Sequence, residues 1–338
     1  MKAICLNKIG KPDVLKISEQ AEPLPDQGEV RVNLEYTGIN FADVLSRKGL
    51  YGWAPKKPYI LGMEGSGIID SIGKGINPAR LGQKVMVACQ YGCYAEKVVV
   101  PDDQAIPVFS QYDMAQSAAF LINYMTAWIG LIEMARLQPT ESVLITAAAG
   151  GVGTAAIQIA SKLGSQVYGL TGREEKVQYI INIGAKKAFN YQNKDWIVDF
   201  MSSVGGADVI LEMVGGDVYK ACLKVLNVFG RLAVVGFASL DLHYWNPVSW
   251  WRTWRDIPRV NIMEIAVKSA GLMASHLGYL LKKQEIMLRV FDDLKLFIEE
   301  NEIKPVISKI FPLEEAEKAH TLVESRKSTG KVLLKIKT

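Results

Sequence analysis

The run Ser142-Val-Leu-Ile-Thr-Ala-Ala-Ala-Gly-Gly-Val-Gly-Thr154 passes from an apolar strand into a glycine cluster, and a helical pattern follows from Thr154 to Leu163. Strand, glycine turn and helix in that order can seat a diphosphate, because a helix start offers unpaired N–H donors and a positive dipole end. Gly150 and Gly151 let the backbone approach the phosphates, and Gly153 lets the helix pack closely on the strand. Ala148 replaces the first glycine of the usual GxGxxG pattern. The signal therefore draws its weight from the strand before it and the strand–helix rhythm after it.

About 20 residues further on, where an acid would hold a ribose 2′-hydroxyl, the second strand ends in Thr171-Gly172-Arg173, with Lys176 just beyond and Tyr191 after the third strand. Two cations and a hydroxyl suit a 2′-phosphate, since each charge-assisted hydrogen bond to it contributes roughly 1.5–3 kcal/mol and a carboxylate would repel it. NADPH is the expected cofactor. The bland alternative is that Arg173 and Lys176 only decorate a solvated helix start beside Glu174 and Glu175.

Metal ligation is not expected. Gly38-Ile39-Asn40-Phe41-Ala42-Asp43 and Leu61-Gly62-Met63-Glu64-Gly65 hold no thiol or imidazole, and no His stands within ligand-like spacing of Cys89 and Cys93. His243, His276 and His320 are scattered and are expected at the surface or at helix ends. Without a Lewis acid, charge developing on an acceptor oxygen must be met by hydrogen-bond donors or solvent, which electron-poor acceptors such as quinones and enones tolerate. Asn40, Asp43, Tyr51 and Tyr124 are the polar candidates for that task, with ordinary turn or core hydrogen bonds as the alternative for each.

The elements that must position these groups form two patterns. Short strand-like pieces broken by Gly and Pro fill the first hundred residues: Ala3–Leu6, Glu29–Tyr36, Gly67–Ile72, Lys84–Ala88 and Glu96–Val100. From Ser142 onward, apolar runs alternate with helical patterns (Gln166–Thr171, Lys187–Asn190, Ala207–Val214 and Gly230–Gly236), which predicts a parallel sheet with crossover helices. A further strand-like stretch, Lys268–Ser275, precedes a helix near Gln284–Asn301. Lys331–Ile336 reads as a last strand able to rejoin the first unit, making the parallel domain an insertion.

At 338 residues, with 49% apolar and 22% charged residues, the composition is that of a two-domain globular protein. A net charge of +4 without a basic cluster gives little field for nucleic acid. Four scattered cysteines and no apolar leader point to reduced thiols and a cytoplasmic protein. The stretch Ser117–Ala135 approaches membrane-spanning length, yet Asn123, Thr126 and Glu133 favour a buried helix. Trp245, Trp250, Trp251 and Trp254 crowd together with Arg252 and Arg255. That cluster suits an aromatic lid or a packed loop, with peripheral membrane contact as the other reading.

The segments GINFADVLSRKGLYG (38–52), LGMEGSGII (61–69), AAAGGVGTAAIQIA (147–160), TGREEK (171–176), NY (190–191) and ESRKSTGKVLL (324–334) resemble the zinc-free quinone oxidoreductases of the medium-chain dehydrogenase/reductase superfamily, the group that includes zeta-crystallin. FLINYMTAWIGL, SHLGYL and EIKPVISKIFPLEEAEKAH look closer still to its vesicle amine transport protein branch, whose members are described as quinone-oxidoreductase-like and as membrane-associated. The resemblance implies an α/β protein: a GroES-like, mainly β catalytic domain (1–122 and 264–338) around a Rossmann-type doubly wound parallel sheet domain (123–263).

It also implies Asn40 and Asp43 by the nicotinamide, Thr126 facing the cofactor, and Gly150, Gly151 and Val152 on the pyrophosphate. Lys176, Tyr191 and Arg173 would take the 2′-phosphate. Val214, Val235, Gly236, Phe237, Gly271, Leu272 and Met273 would frame the nicotinamide, and Arg326 would close over the cofactor. A homodimer and a hydrophobic quinone or enone substrate go with the family. A 2-enoyl thioester reductase, with Tyr51 as proton donor, and an NADPH-binding membrane adaptor without catalysis remain as alternatives.

Overall fold

Along Glu29–Ile39, residues alternate across a sheet: Val30, Val32 and Leu34 are fully buried, while Glu29, Arg31 and Asn33 are half-buried. That period of two is what a strand with one face on a core requires. In the computed structural model, which describes residues 1–239, 249, 251, 255, 257 and 259–336, the chain divides into two units. One comprises Met1–Asn123 and Lys304–Thr338, the other Tyr124–Ile303.

The first unit begins with β1 (Lys2–Leu6), β2 (Ile17–Glu19), β3 (Glu29–Ile39), β4 (Tyr59–Ile60), β5 (Glu64–Ile72), β6 (Lys84–Ala88), β7 (Lys97–Pro101) and β8 (Ala105–Pro107). Helices α1 (Phe41–Lys48) and α2 (Met114–Ala118) also belong to it. β3 pairs antiparallel with β5 and β7, and β5 with β6, so one core forms around Val30, Val32, Leu34, Ile69, Val85, Val87 and Val98.

The second unit contributes β9 (Ser142–Ile145), β10 (Gln166–Thr171), β11 (Lys187–Asn190), β12 (Ala207–Glu212), β13 (Leu226–Val234) and β14 (Gly271–Ala274). Between them run α4 (Gly151–Leu163), α5 (Val177–Asn182), α6 (Trp196–Val204) and α7 (Gly216–Val225), after α3 (Leu121–Trp128). Every neighbouring pair is parallel and the spatial order is β11-β10-β9-β12-β13-β14, a doubly wound sheet whose order reverses between β9 and β12. The expected Rossmann-type and GroES-like units are both present.

Two expectations shift. β14 hydrogen-bonds in parallel register to β13 as the sixth strand of this sheet, and the helix Gln284–Glu300 stacks Phe297 on Trp128 at 5.2 Å. The chain therefore returns to the first unit at Lys304 rather than at residue 264. It then adds β15 (Ile307–Pro312) and β16 (Lys331–Lys335), and β16 pairs antiparallel with β3. The stretch 117–135 is not one helix: α2 stops at Ala118, α3 spans Leu121–Trp128, and a π-helical turn covers Ile129–Met134. Among the described residues, no helix is long and apolar enough to cross a membrane.

Candidate active site

Because the six strands of the second unit are parallel, their C-terminal ends share one edge, and the switch between β9 and β12 opens a crevice there. β9 stops at Ile145, and the chain turns through Ala147, whose φ is 46°, before α4 begins at Gly151. No side chain caps α4, whose N-cap is Gly150, so its first N–H groups face the crevice uncapped. A Cβ on Gly153 would stand 2.5 Å from the Ala147 carbonyl oxygen and 2.7 Å from the Ala148 Cα. Only glycine allows this helix to lie so close to its strand.

At the end of β10, Thr171, Gly172 and Arg173 come together with Tyr191, which hydrogen-bonds through its N–H to the Thr171 carbonyl at 2.8 Å. The Tyr191 hydroxyl lies across Gly172, where a Cβ would meet it at 2.4 Å. Lys176 is buried, and burial, helped by the neighbouring Arg173, lowers its pKa from 10.5 to about 8. Arg173 keeps a 3.2 Å ion pair with the exposed Glu175. Two cations thus stand close together here, one of them desolvated.

Val214, Val235, Gly236 and Phe237 follow the ends of β12 and β13 on the same edge. Met273 pairs with Ala233 near that edge, whereas Gly271 pairs with Arg231 two residues below it, with Leu272 between. Thr126 is half-buried on α3. Sequence reasoning passed over Glu212, the last residue of β12. Its Oε1 accepts the N–H groups of Val214 (2.7 Å) and Gly215 (2.8 Å), and its Oε2 is buried without a hydrogen-bond partner.

Burial raises the Glu212 pKa from 4.5 to about 7 against the pull of those N–H groups. A carboxyl with a higher pKa folded than unfolded costs stability as pH rises from 4.5 to about 7, and the cost stays constant above that. Glu212→Gln keeps the accepting oxygen without the charge. We therefore expect the variant to gain up to about 3 kcal/mol over the parent at pH 8 in urea unfolding, and little at pH 4.5. Equal gains at both values would show that the carboxyl is not desolvated.

In the first unit, Asn40 is the N-cap of α1, and its N–H donates to Asp43 Oδ2 at 2.8 Å. Asp43 is fully buried, and that burial raises its pKa from 3.8 to about 7. Both side chains of this capping pair are thus buried. The Asn40 side chain donates to Glu64 Oε1 at 3.0 Å and accepts from Lys331 Nζ at 2.6 Å, while Lys331 also donates to Glu64 Oε1 at 2.5 Å.

Glu64 and Lys331 are both buried, and neither was among the residues singled out from the sequence. Their signal is a charged residue at the first position of an apolar strand. Tyr51 is half-buried with its ring edge-on to Trp53 at 6.4 Å. Arg326 is exposed at a left-handed position, φ 57°.

Tyr124 is buried in the second unit, and its hydroxyl donates to Gln158 Oε1 at 2.5 Å, tying α3 to α4. His320, expected at the surface or at a helix end, is fully buried within the helix Ala316–Glu324 with Nε2 3.0 Å from the Tyr94 hydroxyl; burial, with the Arg47 charge beside it, lowers its pKa to about 3. Among the described residues, no group of three or more His, Cys, Asp or Glu side chains is placed to hold a metal ion. Of the aromatic cluster, Trp245, Trp250, Trp254 and Arg252 lie outside the described residues, while Arg255 sits over the exposed Trp251 ring at 5.4 Å.

Residues 183–334 match the zinc-binding dehydrogenase family model and residues 26–110 the alcohol dehydrogenase GroES-like domain. The chain is 30% identical to the human synaptic vesicle membrane protein VAT-1 homolog, over 99% of this chain and 86% of that one. It is 34% identical to the quinone oxidoreductase-like protein 2 homolog of Nematostella vectensis, over 99% and 89%. Escherichia coli quinone oxidoreductase, solved in complex with NADPH, superposes with a TM-score of 0.88 at 28% identity, covering 99% of this chain and all of that one.

Proposed function

This chain belongs to the zinc-binding dehydrogenase family of the medium-chain dehydrogenase/reductase superfamily and is an oxidoreductase using a nicotinamide cofactor, and from that premise we propose that it is an NADPH-dependent, zinc-independent reductase of quinones or related electron-poor enones. The observation that carries the choice of cofactor is the pair of cations at the end of β10, Lys176 desolvated beside Arg173, with the Tyr191 hydroxyl across Gly172. When bound, NADPH supplies a hydride from its nicotinamide ring. The α4 start holds the diphosphate with backbone N–H groups and needs no countercharge from a side chain. Arg173, Lys176 and Tyr191 hold the 2′-phosphate. Asn40 offers a hydrogen-bond donor for an acceptor oxygen that gains negative charge.

The pH dependence of binding has a definite sign. Lys176 is charged below its pKa of about 8 and is held charged once a phosphate dianion pairs with it, so NADPH affinity falls as pH rises through 8. It also falls below about pH 6, where the phosphate monoester takes up a proton. NADH, lacking that group, should bind with no such window, a contrast that fluorescence titrations from pH 5 to 9.5 read directly.

The activity is tested by NADPH oxidation against quinones, enones and enoyl thioesters, with and without a metal chelator. Turnover of quinones or enones that survives chelation is expected. Preference for enoyl thioesters would move the reading to the thioester reductase that a Tyr51 proton donor implies, and NADPH binding without turnover of any acceptor would remove the reductase reading.

A further inference from the structure

Asn40 is gripped on both ends of its amide by opposite charges. Lys331 Nζ donates to Oδ1 at 2.6 Å, Nδ2 donates to Glu64 Oε1 at 3.0 Å, and the same Nζ closes the triangle to Glu64 Oε1 at 2.5 Å. The second oxygen of Glu64 accepts the Ile122 N–H at 3.0 Å, so the buried carboxylate is satisfied on both oxygens. The backbone makes room for the triangle: a Cβ on Gly38 would lie 2.7 Å from Lys331 Cε and 2.9 Å from Glu64 Oε1. All three side chains are buried, and two charges are kept there that an apolar pair could replace.

The chemistry of the partners dictates which way the amide points. Reversed, it would set an NH2 against an ammonium and a carbonyl oxygen against a carboxylate, two repulsive contacts in place of two charge-assisted bonds. With Oδ1 on Lys331 and one N–H on Glu64, Asn40 has its other N–H left to give. We propose that Lys331 and Glu64 are positioning residues that lock the polarity of the Asn40 amide, so that it presents a donor, and never a lone pair, to the acceptor oxygen. This rests on the reductase reading above. A donor fixed before charge develops costs no reorganisation in the transition state, whereas an amide free to flip would spend part of its time repelling that charge.

The test removes both charges at once, because a single substitution would strand its partner's charge in the core. In Glu64→Gln/Lys331→Met the Gln side chain can pair with either end of the amide. We expect kcat for quinone reduction to fall about 10- to 100-fold, with KM and NADPH affinity changed less than about threefold. Asn40→Ala should cost a similar factor in the parent and little more in the double variant. Unchanged kcat, or losses from Asn40→Ala that multiply in full on the double variant, would overturn the proposal.

A second measurement needs no turnover. In protein labelled with 15N-asparagine, the Asn40 side-chain amide, assigned by its loss in Asn40→Ala, should give one slowly exchanging pair of protons in the parent, and an averaged or solvent-exchanging pair in the double variant. Two exchanging orientations in the parent would overturn the clamp even if quinones are reduced. A single protected pair with no acceptor reduced would sink the reductase reading and leave the clamp standing.

Discussion

Replacing Arg173 and Lys176 together by alanine should weaken NADPH binding by about 100- to 10,000-fold and leave NADH affinity within about threefold, since two charge-assisted bonds of roughly 1.5–3 kcal/mol each are lost from one ligand and none from the other. Lys176 carries the larger share, because it is buried and already held at a pKa of about 8, so the phosphate relieves a strain that the free protein bears. Arg173 must first give up its 3.2 Å contact with the exposed Glu175, an ion pair of the kind that contributes little. The Lys176→Ala single variant should therefore show most of the loss. Equal weakening of NADPH and NADH would mean that these cations support the fold of the β10 end and do not read the phosphate.

Gly153→Val should have the second large effect, on stability and binding together. The new Cβ would meet backbone on the strand side, the Ala147 oxygen at 2.5 Å and the Ala148 Cα at 2.7 Å, and neither can rotate away as a side chain could. Relief requires α4 to move off the sheet, which we expect to cost about 3 kcal/mol or more and to lower the melting temperature by roughly 6–12 °C. The same displacement carries the N–H groups of the α4 start away from a diphosphate, so NADPH and NADH should both lose more than about 100-fold in affinity. A stable variant that still binds NADPH would show that the close packing at Gly153 is not what seats the cofactor.

How far the sequence could be read depended on the range of the interaction concerned. The glycine turn between β9 and α4 and the group after β10 were legible because strand, turn, helix and the residues that follow are neighbours in sequence, and local spacing fixes where they stand. Tyr191 met Gly172 across one βα unit, which the same rhythm predicts. The destination of β14 was not legible. Lys268–Ser275 reads as a strand in either unit, and only the hydrogen bonds to Arg231–Val234 decide which sheet it joins.

Buried polar groups were the other blind spot. Glu64 and Lys331 are 267 positions apart, and nothing local in either strand says that a charge will find its counterion inside. His320 reads as a residue of the surface or a helix end, and only the packing against Tyr94 takes it out of water. The Tyr124 hydroxyl likewise has a partner that local spacing does not announce, Gln158, 34 positions on.

The pocket at the end of β10 is tested most directly by titrating the purified, unmodified protein at pH 7 with NADPH and with NADH, following nicotinamide fluorescence. NADPH should bind at least about 100-fold more tightly, the ratio that a single well-made pair of charge-assisted contacts supplies. Equal affinity for the two, or binding of neither, would contradict the assignment of Arg173, Lys176 and Tyr191 to a 2′-phosphate and with it the proposed activity.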